Sequence, residues 1–295
     1  MPIRLGENFR ALFYAPYYAI KALGFYDREG VDVELVSSAR PGDAVSGLLS
    51  GAVDIIWAGP MRAMKARDND ADSPLVCFCE VVARDPFYLV GKPKHSKFQL
   101  TDLPSLRFAT VSEVPTPWMC LQHDLRQQGI DPAKLVRAAE RPMADNFEAL
   151  RNAQLDVIQV FEPYVSMAVS EDVGDVLLAA SVRGPTVYTT FISTRDAVAR
   201  HRDAFAAMTR AVGQMQAWLA GHSGEELVII TAPFFPTIAE DILARSLRRY
   251  HQAGIWATAP EISRQGFSRL ADSLQSGGFI ARVPRYEDCV EHTLG

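Results

Sequence analysis

The chain has 295 residues, 48% hydrophobic and 22% charged, with 30 Lys+Arg against 35 Asp+Glu. That length suits about two globular lobes, and the composition argues against disorder, collagen-like repeats and coiled coil. A net charge of −5 with scattered basic residues argues against a nucleic-acid footprint, which needs clustered Lys and Arg.

The densest basic group, Arg245, Arg248 and Arg249, has helical spacing and reads as a solvated face. Four cysteines do not make a disulfide scaffold. No apolar stretch reaches the roughly 18 uninterrupted residues that a membrane span requires. Arg4, Glu7 and Arg10 closely follow Met1, with no apolar leader core. The expected location is therefore periplasmic if a leader has been removed, and cytoplasmic if Met1 is the native start.

In chain order, Ile3–Leu5 reads as a strand and 6–13 as a loop. Pro16 suits the first turn of a helix running through Tyr17–Leu23, with Gly24 as its left-handed stop. The alternation from Val31 to Val36 is a half-buried strand, Asp43–Leu49 a helix and Asp54–Trp57 a strand. This β-α-β-α-β rhythm predicts a parallel sheet covered by helices. The segment Leu48–Ile56 is echoed at Leu150–Ile158: helix end, small-residue turn, Asp, buried strand. Each echo runs into a Pro-containing loop, Ala58-Gly59-Pro60 and Phe161-Glu162-Pro163, and so suggests two lobes of like build whose strand ends face a shared crevice.

The second lobe is expected to begin near Gly91-Lys92-Pro93. It should hold strand Arg107–Val111, helix Pro117–Gln128, strand Leu135–Ala139, helix Asn146–Asn152, and strands Leu155–Val160 and Val176–Ala180. The chain returns through Tyr188–Ser193, giving a first lobe of 1–91 plus 189–295 and a second of 92–188. The last hundred residues are helical, with core stripes at Phe205, Met208, Val212, Met215 and Leu219, then at Ile238, Ile242, Leu243 and Leu247.

No metal site is expected. The six histidines are dispersed, and Cys77 and Cys79, sharing one strand face, read as buried small residues. No nucleotide-binding glycine motif or nucleophile elbow is present, and no cofactor is implied. Four segments can line the crevice. Asn8, Phe9 and Phe13 offer an amide and stacking surface. Trp57, Gly59 and Pro60 follow, with Gly permitting close backbone approach. Val114, Pro115 and Thr116 form a third, in which Thr116 caps a helix starting at Pro117 and frees backbone N–H groups for an anionic group. Glu162, beside Phe161 and Tyr164, offers a carboxylate to ligand donors, and Tyr188 at the lobe return completes the candidate set. Glu113 is placed to repel a fully anionic head group.

Ala15-Pro16-Tyr17-Tyr18-Ala19-Ile20-Lys21-Ala22-Leu23-Gly24-Phe25-Tyr26, followed by Glu29-Gly30-Val31-Asp32-Val33-Glu34, resembles the opening of the NMT1/THI5-like (SsuA/ThiY-type) solute-binding proteins. Gly51-Ala52-Val53-Asp54 and Phe161-Glu162-Pro163-Tyr164 resemble two further segments of that family. The resemblance implies an α/β type II periplasmic-binding-protein fold, two α/β lobes with a cleft and a helical C-terminal region. It also implies capture of a small organic solute for an ABC permease. Pyrimidine-binding relatives carry His in the first loop where Phe13 stands here, and the cysteine-rich run of the fungal pyrimidine synthases lies in the other lobe.

The expected function is therefore binding of a flat aromatic or heterocyclic molecule, with no catalytic residue assigned. The alternatives are an enzyme on the same fold, pyrimidine-phosphate synthase-like or lyase-like, resting on Lys65 or Cys120, and a cytoplasmic ligand sensor.

Overall fold

The computed structural model describes residues 1–38, 43–92 and 97–294. The chain opens with β1 (Ile3–Glu7), α1 (Ala15–Ala22), α2 (Phe25–Arg28), β2 (Val33–Ser37), α3 (Asp43–Leu49), β3 (Ile55–Ala58), α4 (Met61–Asn69) and β4 (Leu75–Val82). Next come β5 (Tyr88–Gly91), β6 (Phe108–Ala109), α5 (Thr116–Gln127), α6 (Met143–Arg151), β7 (Val157–Val160), α7 (Tyr164–Ser170) and β8 (Asp175–Ala179). Strand β9 (Thr189–Thr194) precedes the helices α8 (Arg195–Arg200), α9 (Arg202–Gly221), α10 (Gly224–Thr231), α11 (Glu240–Gln252), α12 (Arg264–Ser276) and α13 (Tyr286–Cys289).

Two sheets result, ordered β2-β1-β3-β9-β4 and β6-β7-β5-β8. The β1, β2 and β3 strands pair in parallel, as their helical crossovers require. The return strand β9 runs antiparallel to both β3 and β4, so the first sheet is mixed and not purely parallel. In the second sheet β6 and β7 are parallel while β5 is antiparallel to β7 and β8. Because β5 is already hydrogen-bonded into the second sheet, the chain leaves the first sheet between Val82 and Tyr88, before the boundary expected at 91. Of that expected tripeptide, Pro93 lies outside the described residues, as does His95.

The sequence echo is a repeated structural device. Arg4 lays its guanidinium on Asp54 at 2.8 and 3.0 Å and donates to the Gly51 carbonyl at 2.9 Å. Arg107 does the same to Asp156 and to the Ala153 carbonyl, every distance 2.9 Å. In both copies the Asp also accepts the Arg backbone N–H at 2.9 Å. Gly51 and Ala153 both take positive φ, +75° and +55°, which turns the helix end back toward the strand. Each clamp ties the start of one parallel strand to the start of its neighbour, and leaves their carboxyl ends to face the other lobe.

Some elements differ from expectation. The segment 135–139 is not a full strand; it joins the second sheet through a single bridge at Arg137, followed by another at Arg141, with Val136 exposed. Helix α6 starts at Met143 instead of Asn146, because Glu113 accepts the Met143 backbone N–H at 2.9 Å. Cys77 and Cys79 do not share a face. A bulge with Cys79 at φ +57° shifts the register, and the two thiols enter different hydrophobic clusters. All four cysteines are free and buried.

The C-terminal stripe on α9 is core as expected, with Phe205 and Met208 fully buried. Among the described residues no helix is long and apolar enough to cross a membrane.

Two crossing segments join the lobes side by side. Thr186 and Val187 both donate their backbone N–H to the Ala83 carbonyl, and Tyr188 donates to Val82. Arg183 on the second crossing pairs with Asp85 on the first at 2.5 Å and also with Asp124 of α5. The Arg183 guanidinium and Asp85 carboxylate are almost wholly buried, so this ion pair is compensated where water cannot reach it.

Candidate ligand site between the lobes

The parallel strands of both sheets end at the cleft, where ligands of open α/β sheets bind. Asn8 and Phe9 follow β1, Gly59 follows β3, Val114, Pro115 and Thr116 follow β6, and Tyr188 precedes β9. Together with Phe13 they line one cavity of about 30 Å³. That is roughly the volume share of a single water, so the cleft is closed down on itself. A Cβ on Gly59 would meet the Tyr188 carbonyl oxygen at 3.3 Å, so the bare glycine lets the loop after β3 approach the returning chain closely.

Tyr14, Met61 and Arg62 also line this cavity. Tyr14 closes the first crevice segment expected from sequence, whereas no motif there singles out Met61 or Arg62.

The rings of Phe9, Phe13, Tyr14 and Tyr188 line the cavity, and Phe161 of the second lobe packs against them without lining it. Phe161 stands edge-on to Phe13 at 5.2 Å and stacks near Phe9 at 6.3 Å, while Tyr188 meets Phe13 edge-on at 5.9 Å. Glu162 points the other way. Its carboxylate accepts the Ser166 N–H and hydroxyl at 2.8 and 2.9 Å, Ser246 at 3.1 Å and the Arg249 Nε at 2.7 Å. Adjacent residues at a strand end face opposite sides, so one of Phe161 and Glu162 had to turn from the crevice. Glu162 is fully buried against α11 as a structural carboxylate. Arg249, expected on a solvated face, is its partner; Arg248 pairs with Glu225 at the surface.

Two further candidates lie elsewhere. Trp57 is buried in the first lobe, stacked on Tyr17 at 4.6 Å, because its side chain leaves β3 toward α1. Pro60 is the N-cap of α4 and does not line the cavity. At the third segment Pro115, not Thr116, is the N-cap of α5; Thr116 is the first helical residue, and no side chain caps the helix. Glu113 accepts the Met143 N–H of α6 through one carboxylate oxygen, and its other oxygen is buried without a hydrogen-bond partner.

Lys65 sits on α4 with Asp68 at 3.3 Å and its ammonium over Phe279. Cys120 is buried in α5, its thiol pushed up to about 12 by desolvation. Neither of these enzyme candidates lines the cavity. A larger cavity of about 110 Å³ lies beneath the C-terminal segment, between Phe78, Cys79, Ile262 and Tyr286, away from the strand ends. Among the described residues no group of three or more His, Cys, Asp or Glu is placed to hold a metal.

The chain is similar over 99% of its length, and over 88% of the relative's, to "Putative binding protein YtlA" of Bacillus subtilis (strain 168), at 22% identity. The fold is similar to the ligand-binding component of an ABC-type import system from Staphylococcus aureus, with zinc bound. There the TM-score is 0.74 at 18% identity, covering 100% of this chain and 97% of that one. It is also similar to the alkanesulfonate-binding protein SsuA from Xanthomonas axonopodis pv. citri bound to MOPS, with TM-score 0.73, 15% identity and 98% of each chain covered. The NMT1-like family matches residues 8–230. With that match spanning most of the chain and both sheets built as in periplasmic binding proteins, the protein belongs to the NMT1-like family.

Proposed function

We propose that this protein captures a small organic molecule between its two lobes and delivers it to an ABC-type permease. The observation that carries this reading is the cavity itself, lined by loops from the carboxyl ends of strands in both sheets and flanked by the paired crossing segments. A molecule held there touches both lobes, so much of its binding energy is realised only when the cleft is closed. Family membership supports the reading, as do the names of the relatives, a binding protein and binding components of import systems.

The ring walls favour a solute with a flat aromatic or heterocyclic part. Mass spectrometry of small molecules released by denaturing the purified protein tests the proposal. A single organic species in near-stoichiometric amount is expected after mild purification, and its reassociation with refolded protein is the decisive step. Failure of any released or added small molecule to bind would remove the capture role.

A further inference from the structure

We propose that Arg62 is an anion anchor and that the captured solute is a small aromatic acid, with its carboxylate on the Arg62 fork and its ring against Phe9, Phe13 and Tyr188. This rests on the capture reading above.

Arg62 is in the first turn of α4, where its side chain lines the interlobe cavity. Among the described residues its one hydrogen bond is a long one, 3.4 Å to the Asn8 Oδ1. No carboxylate of the described residues lies within ion-pair distance of it. Arg62 is half-buried, and desolvation pulls its guanidinium below its ordinary value, with the nearby Tyr14 hydroxyl offsetting only part of that.

The nearby acids are committed elsewhere. Glu7 is held by Arg10, Tyr18 and Ser37, and one oxygen of Glu113 is held by the N-terminus of α6, its other oxygen being unpaired but not within ion-pair distance of Arg62. Two helices, α4 of nine residues and α5 of twelve, begin at this cavity without a side-chain cap, which adds positive potential on the same spot. An arginine fork receives a carboxylate through two parallel N–H bonds. A bare inorganic anion needs donors on all sides, and the phenyl walls here would leave most of its oxygens unpaired. An acid with an aromatic body satisfies both halves of the site.

Thermal shift and calorimetry with benzoate, its neutral isostere benzamide, and sulfate test this on wild type, Arg62→Gln and Arg62→Lys. Benzoate should bind wild type at least about tenfold more tightly than benzamide does, and Arg62→Gln should lose that advantage. Arg62→Lys keeps the charge without the fork and should fall between them. The benzoate–benzamide contrast is read on wild type and survives a variant that fails to fold. Equal binding of benzoate and benzamide would overturn the Arg62 anchor while leaving capture intact. Sulfate binding more tightly than benzoate would overturn the aromatic body. Binding of none of the three would overturn the aromatic-acid class, with capture itself decided separately by the released-molecule measurement.

Discussion

Side-chain direction at single positions decides which residues of each loop reach the cleft. At the end of β7, Phe161 meets the first-lobe rings and Glu162 meets α11, and two of the four bonds to the Glu162 carboxylate, from Ser246 and Arg249, join the second lobe to the C-terminal helices. Glu162→Ala should lower stability by about 2–3 kcal/mol, with Arg249 partly exposed and so not wholly stranded. The urea midpoint reads this, and an unchanged midpoint would count against a structural Glu162.

Glu80 is a second buried carboxylate, with only the Ser263 N–H at 3.0 Å as a side-chain partner and one oxygen unpaired. Burial pushes its carboxyl from 4.5 up to about 7. The protonated form is thus favoured in the fold: the Glu80 contribution to stability is fully present below about pH 4.5 and is lost as pH rises through 7. Glu80→Gln should flatten that loss, making the variant more stable than wild type at pH 8 and nearly equal to it at pH 4.5. Parallel pH dependences for the two proteins would contradict this. The sequence reading put the Glu162 carboxylate in the crevice, because the partners that turn it away, supplied by α11, come from 84 to 87 positions away.

Secondary-structure elements repeat across the lobes because the same clamp is built twice. Burial by itself would raise the Asp54 carboxyl, but the hydrogen bonds from Arg4 outweigh it and hold it below 3.8. Its contribution is therefore present above pH 3.8 and fades below. Asp54→Asn should cost about 1–2 kcal/mol. Asp156→Asn should cost about 1 or less, since Arg107 and Asp156 are more exposed than Arg4 and Asp54. The clamps lie in separate sheets, so the double variant should show the sum of the single effects in chemical unfolding. A marked departure from additivity would mean that the two lobes do not carry the clamps independently.

The echo of Leu48–Ile56 at Leu150–Ile158 revealed this repeat in sequence, because helix end, turn, Asp and strand are all local features. The start of α6 depends on Glu113, thirty residues upstream, and the early crossing at 83–87 depends on which sheet accepts β5; local pattern carries neither.

Across the whole molecule, the C-terminal helices bridge the lobes on both flanks of the cleft. Helix α11 packs on α7 through Glu162, and α12 packs on α5, where Arg126 donates to Ser276 at 3.0 Å. The lobes are thus braced around a cavity of about 30 Å³, and an aromatic acid can enter only if the cleft opens. The two-lobed architecture was legible from the family resemblance and the echo. Most of the proposed cleft residues were legible as well, because they follow strand ends. Arg62 was not, since a lone arginine in a helix reads as solvated until its neighbours are known.

Small-angle scattering tests the capture of a solute by closure most directly. The protein is stripped by unfolding and refolding, then measured before and after addition of the molecules released from it, at a concentration where thermal shift shows saturation. The stripped protein, free to open the cleft that must admit its solute, should show a decrease in radius of gyration on addition as the lobes close. An unchanged radius at saturation would contradict closure of the lobes on their solute.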